Sequence, residues 1–373
     1  PVADAVSFVR SDEQAMLAQT LREMLGSLDM DAIREMSLTR VAFDRAPWRT
    51  LVEMGLVGLM IPEEYGGAGS TFTDMAIVFE ELGRVVVPVP LLSCLMASTA
   101  IVAAGTPDQQ QHLLPSLADG TRIVTVAAFE GPHDDPYLTP QAHAERTNGG
   151  WRVHGTKRYV MDAMASDLFV VTASIDGAVG LFVVPADAEG LERSPMAALD
   201  PTRPLGQVAF DVVVGDDALL GGGAHPEAVR RMIDAGVVAI AQEQVGGAHR
   251  CLEMSVEYAK ARYQFGRAIG SVQAIKHRCA DMLVAVEHAR SVARYAAMTW
   301  DEPTESAIAV PLARSVCSDA YLRVAGDSIQ IHGGIGFTWE HDAHLYFKRA
   351  KASSLLLGSV GMFRDRLGDA IGV

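Results

Sequence analysis

Ile275, Cys279, Met282, Val286, Ala289, Ala293 and Ala296 are apolar at alternating steps of four and three. That period keeps one stripe on one side of a long helix, and such a stripe has to be buried against other helices. A second helix is expected over about Val237 to Ala261, where Ala241, Val245, Ala248, Leu252, Val256 and Ala259 share a face. The two predict a C-terminal bundle of long helices. The Gly221-Gly222-Gly223 run before it reads as a linker.

Upstream, Ser11 to Asp119 also has a helical period, with Leu17, Leu21, Met24, Leu25 and Leu28 three or four apart. The loop IPEEYGGAGST at 61–71 interrupts it, Tyr65-Gly66-Gly67 ending one helix and Thr73-Asp74 opening the next. Between these helical parts the period becomes that of strands. Arg122–Phe129, Gly150–His154, Asp167–Ala173, Val179–Pro185 and Gln207–Val214 are the expected strands, with a tight turn at Asp176-Gly177. The predicted organisation is an α-helical unit (1–119), a β unit (120–220) and a helical bundle (221–373).

Composition narrows the function classes. Lys plus Arg number 31 against 46 Asp plus Glu, a formal net charge of -15, which disfavours nucleic acid and anionic membranes as partners. Cys94, Cys251, Cys279 and Cys317 are scattered without a CxxC pair, so neither a disulfide framework nor a zinc knuckle is expected. Leu91 to Ala104, the longest apolar run, is Ala/Ser-rich and too short for a span, and reads as a buried helix. A cytoplasmic location is the expectation.

Two segments carry candidate chemistry. In Tyr258–Met282, YAKARYQFGRAIGSVQAIKHRCADM, Arg262 stands at a helix end beside a glycine turn, where a guanidinium holds a diphosphate by a bidentate contact. Phe265 is placed to pack on such a ligand and Gln273 to hydrogen-bond an adenine edge. In Gln330–Ala350, QIHGGIGFTWEHDAHLYFKRA, Gly333, Gly334 and Gly336 follow a helix and allow backbone N–H groups close to phosphate.

RYQFG, Gln273 and QIHGGIGF together resemble the acyl-CoA dehydrogenase family, as does the helix, β, helix order along the chain. The resemblance implies a mainly α fold with a β-barrel middle domain and a C-terminal four-helix bundle, and FAD as cofactor. Arg262, Gln264, Phe265, Gln273, Gln330, Gly333 and Gly334 match positions that hold the ADP part of FAD, usually that of a neighbouring subunit. It further implies an acyl-CoA substrate dehydrogenated to a trans-2-enoyl-CoA, with electrons passed to an electron-transfer flavoprotein. Abstraction of a weakly acidic α-proton requires a carboxylate base and a polarised thioester carbonyl.

The chain departs from the family where a subunit serves its own flavin and substrate. The usual glutamate slot falls in Leu356-Leu357-Gly358, at Leu357, and the alternative slot on the first bundle helix falls at Gly236. The stretch that orders the flavin ring is replaced by AAFEGPHDD at Ala127 to Asp135, and the following strand end reads Tyr159-Val160-Met161-Asp162. Glu243 is a weak substitute base, and Glu130 and Asp162 are weaker ones. His341 and His344 stand three apart without a third ligand, so no metal is expected. Arg230, Arg231 and Arg250 are candidates for the CoA diphosphate. The split suggests a hetero-oligomer in which this chain completes the FAD site of a homologous catalytic subunit, as in actinobacterial α2β2 acyl-CoA dehydrogenases of steroid degradation. A homomeric dehydrogenase with a displaced base, or a flavin-dependent oxidase or monooxygenase on the same scaffold, are the alternatives.

Overall fold

A computed structural model describes residues 9–39, 43, 45–132 and 135–373. Helices α1 (Asp12–Gly26), α2 (Met30–Thr39) and α3 (Arg45–Glu53) are followed by α4 (Phe72–Gly83), α5 (Leu91–Ala104) and α6 (Pro107–Ala118). Leu21 and Leu25 carry the buried face of α1. The Asp74 carboxylate accepts from both the N–H (3.3 Å) and the hydroxyl (2.9 Å) of Thr71. Thr71 is therefore the cap and α4 opens at Phe72, ahead of the expected Thr73. The run Leu91–Ala104 is a buried helix, and no described helix is long and apolar enough to cross a membrane.

Eight strands follow: β1 (Val124–Ala127), β2 (His143–Thr147), β3 (Gly150–Met161), β4 (Leu168–Ile175), β5 (Ala178–Pro185), β6 (Leu191–Met196), β7 (Leu205–Val214) and β8 (Leu219–Ala224). They lie in the order β6-β7-β3-β2-β4-β5-β8, with β1 beside β4. The alternating burial of β7 and the wholly buried β1 fit the expected strands. Three strands lacked a sequence signal. β2 and β6 are almost wholly exposed and carry no apolar alternation. The supposed glycine linker is β8, which pairs with β5 although Gly221 and Gly222 take positive φ.

The C-terminal part contains α7 (Pro226–Ala261), a short hairpin of β9 (Tyr263–Gln264) and β10 (Arg267–Ala268), α8 (Gln273–Met298), α9 (Pro303–His332), α10 (Ala343–Ser353) and α11 (Val360–Ile371). The stripe on α8 is buried from Met282 through Val286, Ala289 and Ala293 to Ala296, while Ile275 and Cys279 are half-buried. α7 begins at Pro226, well before Val237, because Ala228, Val229, Met232 and Ile233 continue its apolar surface. Two glycines set how near α4 comes to α7. A Cβ on Gly83 would stand 2.0 Å from the Glu243 carbonyl oxygen, and one on Gly246 would stand 1.8 Å from that of Glu80. Backbone meets backbone there, so α4 and α7 pack as one block.

Candidate functional site

The sequence-predicted residues fall into two places. The first is a cavity of about 350 Å³ between sheet and bundle. Its walls are Met96 of α5, Val126 and Phe129 beside β1, Tyr159 and Met161 at the end of β3, Leu199 to Leu205, and the Leu355–Gly358 loop after α10. A register shift between Lys157 and Val160 in the pairing with β7 is a bulge that re-aims the strand end. Tyr159 and Asp162 take φ of 56° and 54° there. Residues 133–134 of the Ala127–Asp135 stretch lie outside the described residues.

Of the two positions read as slots for a base, Leu357 lines this cavity and Gly236 lies against Leu357 and Met96 of its wall. A Cβ on Gly236 would stand 2.6 Å from both Leu357 Cδ1 and Met96 Sδ. Leu357 is held at φ 59°. Its loop is fastened by Arg314, a fully buried residue of α9 that sequence reasoning missed. The Arg314 guanidinium donates to the Ser353 carbonyl (2.7 Å), to the Leu356 carbonyl and to the Gly358 carbonyl (3.0 Å). Burial lowers its pKa to about 10, because the ligands are carbonyl dipoles and not a carboxylate. An arginine on the Ala313–Cys317 face of an otherwise apolar helix was the available signal.

Glu243 is buried and shared between two arginines. Arg203 Nη2 donates to one oxygen, and Arg349 Nη1 donates to the other at 2.8 Å. Arg349 also binds Asp200 through Nε and the Thr202 hydroxyl at 2.7 Å. Burial alone would push the Glu243 carboxyl up, but Arg203 and Arg349 outweigh it and hold it below the ordinary range. A carboxylate stabilised in this way is a poor proton acceptor. Glu130 is similarly engaged, accepting from Lys157 Nζ (2.7 Å) and from the backbone of Gln141 and Ala142. Asp162 differs: burial raises its pKa to about 6, against the pull of the Ser93 hydroxyl at 2.5 Å, Arg203 and Arg349.

The second place is an exposed face where α7 and α9 end. RYQFGRA forms a two-residue hairpin in which Gln264 pairs with Arg267 while Phe265 and Gly266 take φ of 52° and 79°. The Phe265 ring is 99% exposed despite this strained backbone. Arg262 caps α7, and among the described residues no acid pairs with it. Gln273 is the first residue of α8, Gln330 lies in the last turn of α9, and Gly333 and Gly334 open the short turn that follows it, all of them exposed. Gly333 takes φ 64°, and a Cβ on either glycine would meet nothing within 4 Å. The two segments are joined by Tyr258, whose ring lies 4.6 Å from that of His332, next to Gly333. The His332 ring lies in turn 4.3 Å from His341, and His344 stacks on Trp339. An unpaired guanidinium, open glycine backbone and an exposed aromatic ring fit a ligand that is both anionic and aromatic, as FAD is.

The arginines considered for CoA are engaged elsewhere. Arg231 donates to the Trp300 carbonyl and to Asp301, Arg230 lies over Tyr137, and Arg250 bonds Glu253.

Long bundle helices and an intervening sheet are the architecture of the acyl-CoA-oxidising flavoproteins. The chain belongs to the acyl-CoA dehydrogenase family, matching its N-terminal domain over residues 11–121 and its C-terminal domain over 227–372. The acyl-CoA dehydrogenase IpdE2 of Mycobacterium tuberculosis is 36% identical over 353 residues, covering 93% of this chain and 94% of that protein. A chain of the Tcur3481-Tcur3483 steroid ACAD superposes with a TM-score of 0.88 at 32% identity, over 97% of this chain and 98% of its own. A chain of the ChsE4-ChsE5 complex from Mycobacterium tuberculosis gives a TM-score of 0.90 at 28% identity, over 98% of this chain and 99% of its own. This is an oxidoreductase family acting on acyl-CoA, and its cofactor is a flavin.

Proposed function

We propose that this chain is the non-abstracting subunit of a heteromeric acyl-CoA dehydrogenase, presenting Arg262, Gln264, Phe265, Gln273, Gln330, Gly333 and Gly334 to an FAD whose ring lies in a homologous catalytic subunit. The observation that supports this reading is the closeness of Leu357 to Gly236, which leaves only hydrocarbon at the two positions read as slots for the base. Glu243, the substitute on the same helix, is neutralised by Arg203 and Arg349. When bound, FAD supplies the hydride acceptor for α,β-dehydrogenation, with an electron-transfer flavoprotein as the onward acceptor. This chain contributes the guanidinium of Arg262 to the diphosphate and open backbone at Gly333 and Gly334. Likeness to the steroid ACAD and to the two-component ChsE4-ChsE5 complex supports a bulky, steroid-like acyl group and a two-component assembly.

Co-expression with a homologous subunit that carries the glutamate base, followed by flavin and subunit stoichiometry, tests the reading. One FAD per pair of chains and activity only in the pair are expected. One FAD per chain, with turnover by this chain alone, would sink the proposal.

A further inference from the structure

A site that had lost its chemistry would be expected to fill with larger side chains, yet the Leu357 cavity keeps about 350 Å³ open, within the ~300–1,000 Å³ range of small-molecule pockets. Its walls are braced from behind. The Leu355–Gly358 loop hangs from buried Arg314 by the Ser353, Leu356 and Gly358 carbonyls. The Asp200–Arg203 segment is tied to α7 and α10 through Arg349 and Glu243. Closing the space would require breaking these buried contacts.

The lining selects by what it withholds. Among the described residues Asp200 and Arg203 are its only charged ones, and both are spent on buried partners: Asp200 on Arg349 and Thr202, Arg203 on Glu243 and Ser353. Among the described residues Tyr159 brings the only side-chain hydroxyl of the lining, and that hydroxyl makes no hydrogen bond with any of them. The remainder is Met, Leu, Val, Phe, Ala, Pro and Gly, and two of the leucines, Leu199 (54% exposed) and Leu355 (61% exposed), stand partly in solvent. Among the described residues this lining offers no free cation for a CoA diphosphate and no free acid for proton abstraction. It rewards burial of hydrocarbon and tolerates one neutral polar group.

We infer that the Leu357 cavity is a non-catalytic binding site for an uncharged, mainly hydrocarbon ligand with at most one hydroxyl or ketone, which is bound and not turned over. The inference rests on the reading that this chain's own site is catalytically silent.

Nile red, a neutral solvatochromic dye, is the probe, titrated into the purified protein while flavin absorbance is followed in the same cuvette. Saturable, blue-shifted emission at one dye per copy of this chain is expected. Ala198→Trp, which adds bulk to the lining at a half-buried position, should weaken it at least tenfold, and Leu138→Ala, at an exposed position away from the cavity lining and the flavin-facing hairpin, should leave it unchanged. A titration that does not saturate, insensitivity to Ala198→Trp, or loss with Leu138→Ala would overturn the site. If dye instead releases flavin in proportion to its binding, the cavity is a flavin seat, and the proposed function fails along with the inference. Absent dye binding with flavin at one per pair of chains would sink the ligand site alone.

Discussion

Gly236 and Leu357, separated by most of the C-terminal bundle in sequence, compete for one volume: a Cβ on the first would stand 2.6 Å from Cδ1 of the second. Only one of the two positions has room for a side chain. Gly236→Ala should therefore be destabilising by about 1–3 kcal/mol from overpacking, offset in part by the ~0.5–1 kcal/mol that alanine gains over glycine inside a helix. Leu357→Ala alone should also destabilise, since Leu357 is 4% exposed. In the double variant one of the new methyl's two close neighbours is gone and only Met96 has to give way, so the two losses should not add in full. Urea midpoints of the four proteins measure the coupling, and strict additivity would show that the two residues do not meet.

Arg314 is predicted to hold the loop's shape. Arg314→Met preserves apolar bulk but leaves three carbonyls without their donors, and should cost about 2–4 kcal/mol. Arg314→Lys should restore only part of this, because an ammonium is a point donor and cannot reproduce the planar fork. Chemical denaturation checks the order Arg > Lys > Met at this position.

The helical stripes were legible because burial imposes its period on sequence directly: α5 and the Met282–Ala296 face were readable residue by residue. Strands β2 and β6 were not, since an edge or solvent-facing strand is held by backbone pairing that leaves no mark on side-chain type. The hairpin at Phe265-Gly266 and the turn at Gly333 could be placed from their glycines, but their adjacency comes through Tyr258 and His332, which no spacing rule links. The same holds for the site interior. That Leu357 and Gly236 are both uncharged is plain in the sequence. That Arg203 and Arg349 pair with Glu243 while Asp200 shares Arg349 depends on three segments folding together.

Asp162 should make stability pH-dependent. A carboxyl whose folded pKa is raised, here from 3.8 to about 6, binds its proton more tightly in the folded state. The associated stability is fully present below the unfolded value near pH 4 and is lost as pH rises through about 6. Asp162→Asn keeps an oxygen to accept the Ser93 hydroxyl and removes the titration. Relative to the native protein, it should gain up to about 3 kcal/mol between pH 4 and pH 7. Urea midpoints at several pH values check this. A difference independent of pH would mean that Asp162 does not titrate in this window.

The exposed face makes the last prediction. Arg262 has no acid partner among the described residues, so removing its guanidinium breaks no ion pair, and Arg262→Ala should leave the unfolding midpoint within about 0.5 kcal/mol of the native protein. The same change should weaken flavin retention in the assembled enzyme by about 10- to 100-fold, the worth of a charge-assisted contact to a diphosphate. Arg262→Lys should fall between, keeping charge but losing the bidentate geometry. Flavin content after gel filtration, measured alongside stability, separates the two effects. Unchanged flavin in Arg262→Ala would move the diphosphate contact off this residue, whereas a matching loss of stability would make Arg262 a structural cap of α7.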